Sequence, residues 1–135
     1  MAEDLAIRTR VMLVDDHADF RHLMTALLDR EPDLELVAQA GSLAEARSCA
    51  AAVSFDVAVL DLGLPDGNGA DLIGDVREFN LGAAVLILSA SLHPTNLERA
   101  TEAGADEILD KLASPAEVVG TIRRLGIGEA PTRQE

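Results

Sequence analysis

From Arg10 to Leu125 the chain alternates short apolar runs with stretches of helical periodicity. Val11-Met12-Leu13-Val14 is uninterruptedly apolar and ends on acidic residues, the pattern of a strand buried on both faces. Phe20, Leu23, Met24, Leu27 and Leu28 then recur at helical spacing, which predicts one apolar stripe of an amphipathic helix. Glu31-Pro32-Asp33 breaks that helix, and Leu34 to Ala38 predicts a second, more polar strand. Val57 to Leu60 and Ala83 to Leu88 predict a third and a fourth strand, and Glu107 to Asp110 a short fifth. Leu72, Ile73, Val76 and Phe79 mark the helix after the third strand, and Val118, Ile122 and Leu125 the last one.

Local signals place the helix ends. Ser42 and Glu45 have capping-box spacing, in which the hydroxyl accepts from the Glu45 amide and the carboxylate reaches back, so a helix is expected to about Val53. Thr95 with Glu98, and Ser114 with Glu117, repeat that spacing. Pro115 suits the first position of a helix, and Gly104 and Gly126 supply stops. Leu64-Pro65-Asp66-Gly67-Asn68-Gly69 has the composition of a loop. Serial βα units predict a parallel sheet with helices on both faces, because the crossovers are right-handed. One domain is expected over residues 10–126, with flexible ends at 1–9 and 127–135.

Composition narrows the function. Among 135 residues, 11 Lys and Arg face 24 Asp and Glu, a formal charge of −13 that repels a phosphate backbone and argues against direct nucleic-acid or anionic-membrane binding. Aromatic residues make up only 2%, too few for a base-stacking platform. Cys49 is alone, which excludes an internal disulfide framework, and it reads as a small buried hydrophobe. No apolar run approaches a membrane span, and Met1 to Arg10 lacks a secretory signal, so a cytoplasmic protein is expected.

In such sheets function gathers at the carboxyl ends of the strands. Asp15 and Asp16 close the first strand, Asp61 the third, Ser89 follows the fourth and Lys111 the fifth. If the first and third strands are neighbours, three carboxylates share one crevice, and a hard divalent cation such as Mg²⁺ is the simplest compensation. A hydroxyl and an ammonium beside carboxylates and Mg²⁺ suit a phosphoryl group. His17 borders the acid pair without a decided role. His22 and His93 read as surface residues, and without a second cluster of strong ligands no zinc site is expected.

These residues stand within segments that resemble the receiver domains of two-component response regulators. The segments are Leu13-Val14-Asp15-Asp16-His17, Val59-Leu60-Asp61-Leu62-Gly63-Leu64-Pro65-Asp66-Gly67, Ile87-Leu88-Ser89-Ala90, Glu102-Ala103-Gly104-Ala105 and Lys111. The stretch from Asp15 to Arg21, with Glu31-Pro32-Asp33, is most similar to receivers of the helix-turn-helix transcription factor subgroup. The resemblance implies a flavodoxin-like (βα)5 fold, a doubly wound five-stranded parallel sheet of order 2-1-3-4-5. It implies that Asp61 is the phospho-acceptor, that Asp15, Asp16 and Asp61 hold Mg²⁺ with the backbone carbonyl of Gly63, and that Lys111 and Ser89 contact the phosphoryl oxygens. Mn²⁺ is the substitute ion. A histidine kinase or phosphotransfer protein, or a small phosphodonor, supplies the phosphoryl group. A downstream protein partner or an output domain receives the signal, and a homodimer is left open.

The sequence departs from the family pattern in three places. Ile108 stands where a switch aromatic is common, so the loop after Ser89 and the next helix are expected to carry the change of state. Leu112 replaces the Pro that often follows the Lys, so no cis bond is expected there. Gly63 offers no side chain to shield an acyl phosphate, which predicts a short lifetime.

Two other classes compete with this reading. Phosphatases of the haloacid dehalogenase type need a second Asp two places after the nucleophile, where Gly63 stands. A receiver-like interaction module working without phosphorylation would have lost the acceptor, an acid or the Lys, and all are present. Only ten residues follow Leu125, which fits either a single-domain regulator or the receiver portion of a longer transcription factor.

Overall fold

A computed structural model describes residues 8–128. Five parallel strands form the main sheet: β1 (Thr9–Val14), β2 (Leu34–Ala40), β3 (Val57–Leu60), β4 (Ala84–Ser89) and β5 (Glu107–Asp110), in the order β2-β1-β3-β4-β5. Five helices connect and flank them: α1 (Ala18–Asp29), α2 (Leu43–Ala52), α3 (Leu72–Phe79), α4 (Pro94–Ala103) and α5 (Pro115–Gly126). This is the expected flavodoxin-like arrangement.

The apolar run of β1 explains why that strand is central. Its side chains alternate between two cores. Met12 and Val14 face the layer of α2, α3 and α4, with Leu43, Ala46, Ile73, Val76 and Ala100. Val11 and Leu13 face α1 and α5, with Met24, Leu28, Val118, Ile122 and Leu125. A polar residue on either face of β1 would have no water to meet, so both faces are apolar. The edge strand β5 is only partly covered, and Glu107 is tolerated there.

Several local expectations need correction. β1 begins at Thr9, one residue before the expected domain start, and the Arg8 guanidinium donates to the Leu34 carbonyl at 3.1 Å. The remainder of the expected flexible ends, residues 1–7 and 129–135, lies outside the described residues. β2 runs on to Ala40. The Thr95–Glu98 capping box does not form, because α4 already starts at Pro94 and His93 occupies the cap without a side-chain bond. Pro94 has the fixed φ that a first helical position favours, and it places Thr95 inside the helix. Ser42 caps α2 as expected, accepting from the Glu45 amide at 3.1 Å, but Glu45 reaches back to the Gly41 amide at 2.7 Å instead of to Ser42. Ser114 caps α5 through the Glu117 amide. Leu23 and Phe79 lie at the rims of their stripes and are mostly exposed, and Cys49 is half-buried against the α2–α4 core. Gly104 ends α4 in the left-handed region at φ 104°, where glycine is favoured.

The loop after β3 is more ordered than its composition suggests. Gly63–Leu64 and Gly67–Asn68 pair as a two-residue antiparallel hairpin, followed by a 3-10 turn over Gly69–Asp71. Asp66 at the hairpin tip accepts from the amides of Leu43 and Ala44, at 2.8 and 3.1 Å, so the loop helps cap α2. These bonds to the carboxylate hold the Asp66 pKa below its ordinary value. Arg123 of α5 pairs with Asp33 at 2.6 Å and Glu31 at 2.8 Å, tying the break after α1 to the last helix.

Candidate functional site

Strand register brings the acids together. Val14 of β1 pairs with Leu60 of β3, so the next residues, Asp15 and Asp61, leave the sheet side by side. The Asp61 amide donates to the Val14 carbonyl at 2.9 Å, and the Asp15 amide to the Ala40 carbonyl at 3.0 Å. Ser89 and Asp110 pair between β4 and β5, which sets Lys111 one residue past the sheet on the same side. Its amide donates to the Ser89 carbonyl at 3.1 Å.

Lys111 joins the cluster. Its Nζ lies 2.7 Å from Asp15 Oδ2 and 3.2 Å from Asp61 Oδ2, with both carboxylates buried. Burial works against the charged ammonium, but the hydrogen bond to Asp15 and the fields of Asp61 and Asp15 outweigh it and raise its pKa. The ammonium also sits over the Phe20 ring, 4.5 Å from the centroid, a favourable cation–π placement. The other oxygens of the buried acids are held by the backbone. Asp15 Oδ1 accepts from the His17 amide at 2.9 Å, and Asp61 Oδ1 from the Leu62 amide at 2.8 Å. The Arg21 guanidinium donates to the Asp15 carbonyl. Orientation of the carboxylates is therefore set before any ligand arrives.

Asp15, Asp16, His17 and Asp61 each offer one ligand atom, and these atoms lie within 4.8 Å of one another. Three carboxylates face one lysine, so the cluster carries an excess of negative charge made of hard oxygen donors. That donor chemistry fits a divalent cation such as Mg²⁺. Asp15 and Asp61 are buried, and Asp16 and His17 are the members open to solvent. Ser89 is buried at the neighbouring strand end, its Oγ accepting from the Ser91 amide at 3.2 Å. Gly63 lies exposed in the hairpin, and a Cβ there would meet nothing within 4 Å. Ile108 packs, partly buried, against the α2–α4 core.

Sequence reasoning leaves some members of the site without a role. The His17 ring lies against two of the acids, Phe20 lies under Lys111, and Arg21 holds the Asp15 carbonyl. Gly69 is another: a Cβ added to it would stand 1.9 Å from the Asp61 carbonyl oxygen. Its only sequence signal is a glycine in a loop near the acid, which does not show what it must approach.

Comparison with known proteins bears on this arrangement. The profile of the response regulator receiver domain family matches residues 11–123. Over 121 residues the chain is 36% identical to the DNA-binding transcriptional activator DevR/DosR of Mycobacterium tuberculosis, covering 90% of this chain and 56% of that protein. It is 34% identical over 118 residues to the transcriptional regulatory protein UhpA of Salmonella typhimurium, covering 87% of this chain and 59% of UhpA. The chain thus spans little more than half the length of these relatives. A two-component response regulator of the LuxR family from Aurantimonas superposes with a TM-score of 0.82 at 32% identity, covering 91% of this chain and 88% of that one. A CheY-like receiver domain protein from Methanospirillum hungatei superposes with a TM-score of 0.83 at 21% identity, covering 90% of this chain and 96% of that one, a likeness of fold alone.

Proposed function

The chain belongs to the response regulator receiver domain family, and from that premise we propose that it takes a phosphoryl group onto Asp61 and thereby changes the surface it offers to a partner. What carries the reading is the placement of Lys111 between Asp15 and Asp61, in a buried acidic crevice at the carboxyl ends of adjacent strands. The proposed receiver unit spans residues 10–126.

In this reading a carboxylate oxygen of Asp61 attacks phosphorus in line. The bond to the donor breaks as the new P–O bond forms, and the product is an acyl phosphate on Asp61. With a phosphohistidine donor the leaving group is the kinase imidazole, which takes a proton from solvent; with acetyl phosphate it is acetate. Lys111, already held charged beside Asp61, receives one phosphoryl oxygen. The Ser89 hydroxyl donates to a second. Asp15, Asp16 and Asp61, with the Gly63 carbonyl, would hold Mg²⁺ (or Mn²⁺), which when bound neutralises charge on the transferring group. The backbone bonds to Asp15 Oδ1 and Asp61 Oδ1 keep both acids oriented, so little ordering remains for the reaction itself.

The partners follow from the same reading: a histidine kinase or phosphotransfer protein upstream, and a protein partner or an output domain downstream. The printed names of DevR/DosR and UhpA describe transcriptional regulators, which favours a helix-turn-helix output; this chain itself, at −13, is not proposed to touch DNA. Its catalysis is confined to its own phosphorylation and dephosphorylation. A cytoplasmic location fits, and among the described residues no helix is long and apolar enough to cross a membrane.

Intact mass after incubation with acetyl phosphate tests the proposal. One phosphoryl increment that requires Mg²⁺ and is lost in Asp61→Asn is expected. Beryllofluoride binding, read by NMR on the same sample, guards against fast hydrolysis. Absence of both the increment and beryllofluoride binding would overturn the reading in favour of a phosphorylation-independent interaction module.

A further inference from the structure

Among the described residues, the polar partners of the His17 ring are the acids of the site. Its Nδ1 lies 3.2 Å from Asp15 Oδ1 and 3.2 Å from Asp16 Oδ1. Two-thirds of the side chain is exposed (67%). Its backbone, by contrast, is held at both ends: the His17 amide donates to Asp15 Oδ1 at 2.9 Å, and its carbonyl accepts from the Arg21 amide at 3.0 Å. The imidazole is therefore delivered to the acid pair by the start of α1, not by chance contact of a loose side chain.

The spacing has chemical meaning. Metal–ligand bonds of about 2.1 Å at right angles place neighbouring ligand atoms about 3.0 Å apart. The Nδ1 separations from the two carboxylate oxygens match adjacent positions around one ion, and the oxygen of Asp61 falls within the same group. A site of carboxylates alone is hard and suits Mg²⁺. Adding an imidazole nitrogen changes the order of preference, because borderline ions gain more from nitrogen than Mg²⁺ does.

We infer that His17 is a specificity residue of this acidic centre, adding a nitrogen donor that makes the site take borderline divalent ions such as Ni²⁺, Co²⁺ and Zn²⁺ in competition with Mg²⁺. The inference rests on the acidic crevice being the cation site of the proposed function, and it assigns that site a second class of ligand. The sequence led to no expectation of zinc because it showed no second cluster of ligands. The structure instead places a histidine in the first one.

Isothermal titration calorimetry at one fixed pH, on the full chain, with NiCl₂ and MgCl₂ in separate titrations, tests it. The His17 side chain makes no capping bond to α1, so His17→Ala and His17→Gln keep the helix start. Both variants are expected to weaken Ni²⁺ binding about tenfold or more while moving Mg²⁺ binding less than about twofold. Asp16→Asn is expected to weaken both ions. Ni²⁺ affinity unchanged in the His17 variants, or lost only in His22→Ala or His93→Ala, overturns the inference. A fall of equal size for Ni²⁺ and Mg²⁺ also overturns it, since that would be a general disturbance of the acids. If Mg²⁺ fails to bind the unaltered chain while Ni²⁺ binding still requires His17 and Asp16, the specificity assignment stands and the Mg²⁺-dependent phosphoryl reading falls.

Discussion

Gly69 gives the sharpest test of how the fold positions the phospho-acceptor. Nothing in its φ demands glycine; the demand is spatial. A Cβ would stand 1.9 Å from the Asp61 carbonyl oxygen, 2.9 Å from the Asp61 carbonyl carbon and 3.3 Å from the Leu62 Cα. Contacts below 3.0 Å are not sustained, so Gly69→Ala requires the two backbones to part by about 1 Å. Neither backbone is free to yield. The Gly69 amide donates to the Leu62 carbonyl at 2.8 Å, and the Asp61 amide is bonded to Val14 in β1. Overpacking of this kind costs about 1–3 kcal/mol of stability. The displacement falls on the residue whose carboxylate is 3.2 Å from Lys111, and misplacement by about 1 Å can cost about a hundredfold in rate. Urea unfolding followed by far-ultraviolet circular dichroism measures the first effect, which suits a chain without Trp or Tyr. The rate of phosphorylation by acetyl phosphate measures the second. Gly74→Ala is the control: it lies in α3, its Cβ would meet nothing within 4 Å, and it should leave stability equal or raised by up to about 1 kcal/mol. A Gly69→Ala protein with the unfolding midpoint and phosphorylation rate of the unaltered chain would refute the reasoning.

Three further outcomes are expected. Gly63 faces open space, so Gly63→Met should fold normally and prolong the acyl phosphate by shielding it from water; an unchanged decay of the phosphorylated mass counts against this. Arg123 pairs with Asp33 and Glu31, and Arg123→Ala should cost about 1 kcal/mol at pH 7, as partly exposed pairs do. The hydrogen bond from Arg123 lowers the Asp33 pKa below its ordinary 3.8. This stabilisation is therefore present above pH 3.8 and lost as pH falls through the lowered value, so the two proteins' urea midpoints should converge in acid; a gap that persists there is the adverse result. Beryllofluoride should shift amide resonances most in residues 90–103, since Ile108 supplies no aromatic switch and the Ser89 hydroxyl binds the Ser91 amide; shifts confined to β5 would reverse that assignment.

Much of this protein was legible in the chain because burial and periodicity are local properties. A strand with both faces covered has to be apolar at every position, so Val11 to Val14 and Val57 to Leu60 stood out with their bounds nearly intact. Serine hydroxyls three residues before a glutamate marked the starts of α2 and α5. The strand-end positions of Asp15, Asp16, Asp61 and Ser89 were visible for the same reason, since each closes an apolar run, whereas Lys111 follows the short and half-polar segment Glu107 to Asp110. The Thr95–Glu98 spacing misled because Pro94, one residue earlier, starts the helix itself.

The tertiary structure decided what touches what. Strand order and register, set by packing across the whole sheet, put Asp15 beside Asp61 and swing Lys111 between them. Gly69 became indispensable only when the hairpin folded back onto Asp61. Asp66 became a cap for α2, and Arg123 a clasp for Glu31 and Asp33, across separations that no local pattern encodes. The placement of the His17 ring between Asp15 and Asp16 belongs to the same class. Periodicity reports whether a side chain is buried, whereas the identity of its neighbours depends on how distant segments pack, and the chemistry of the crevice resides in those neighbours.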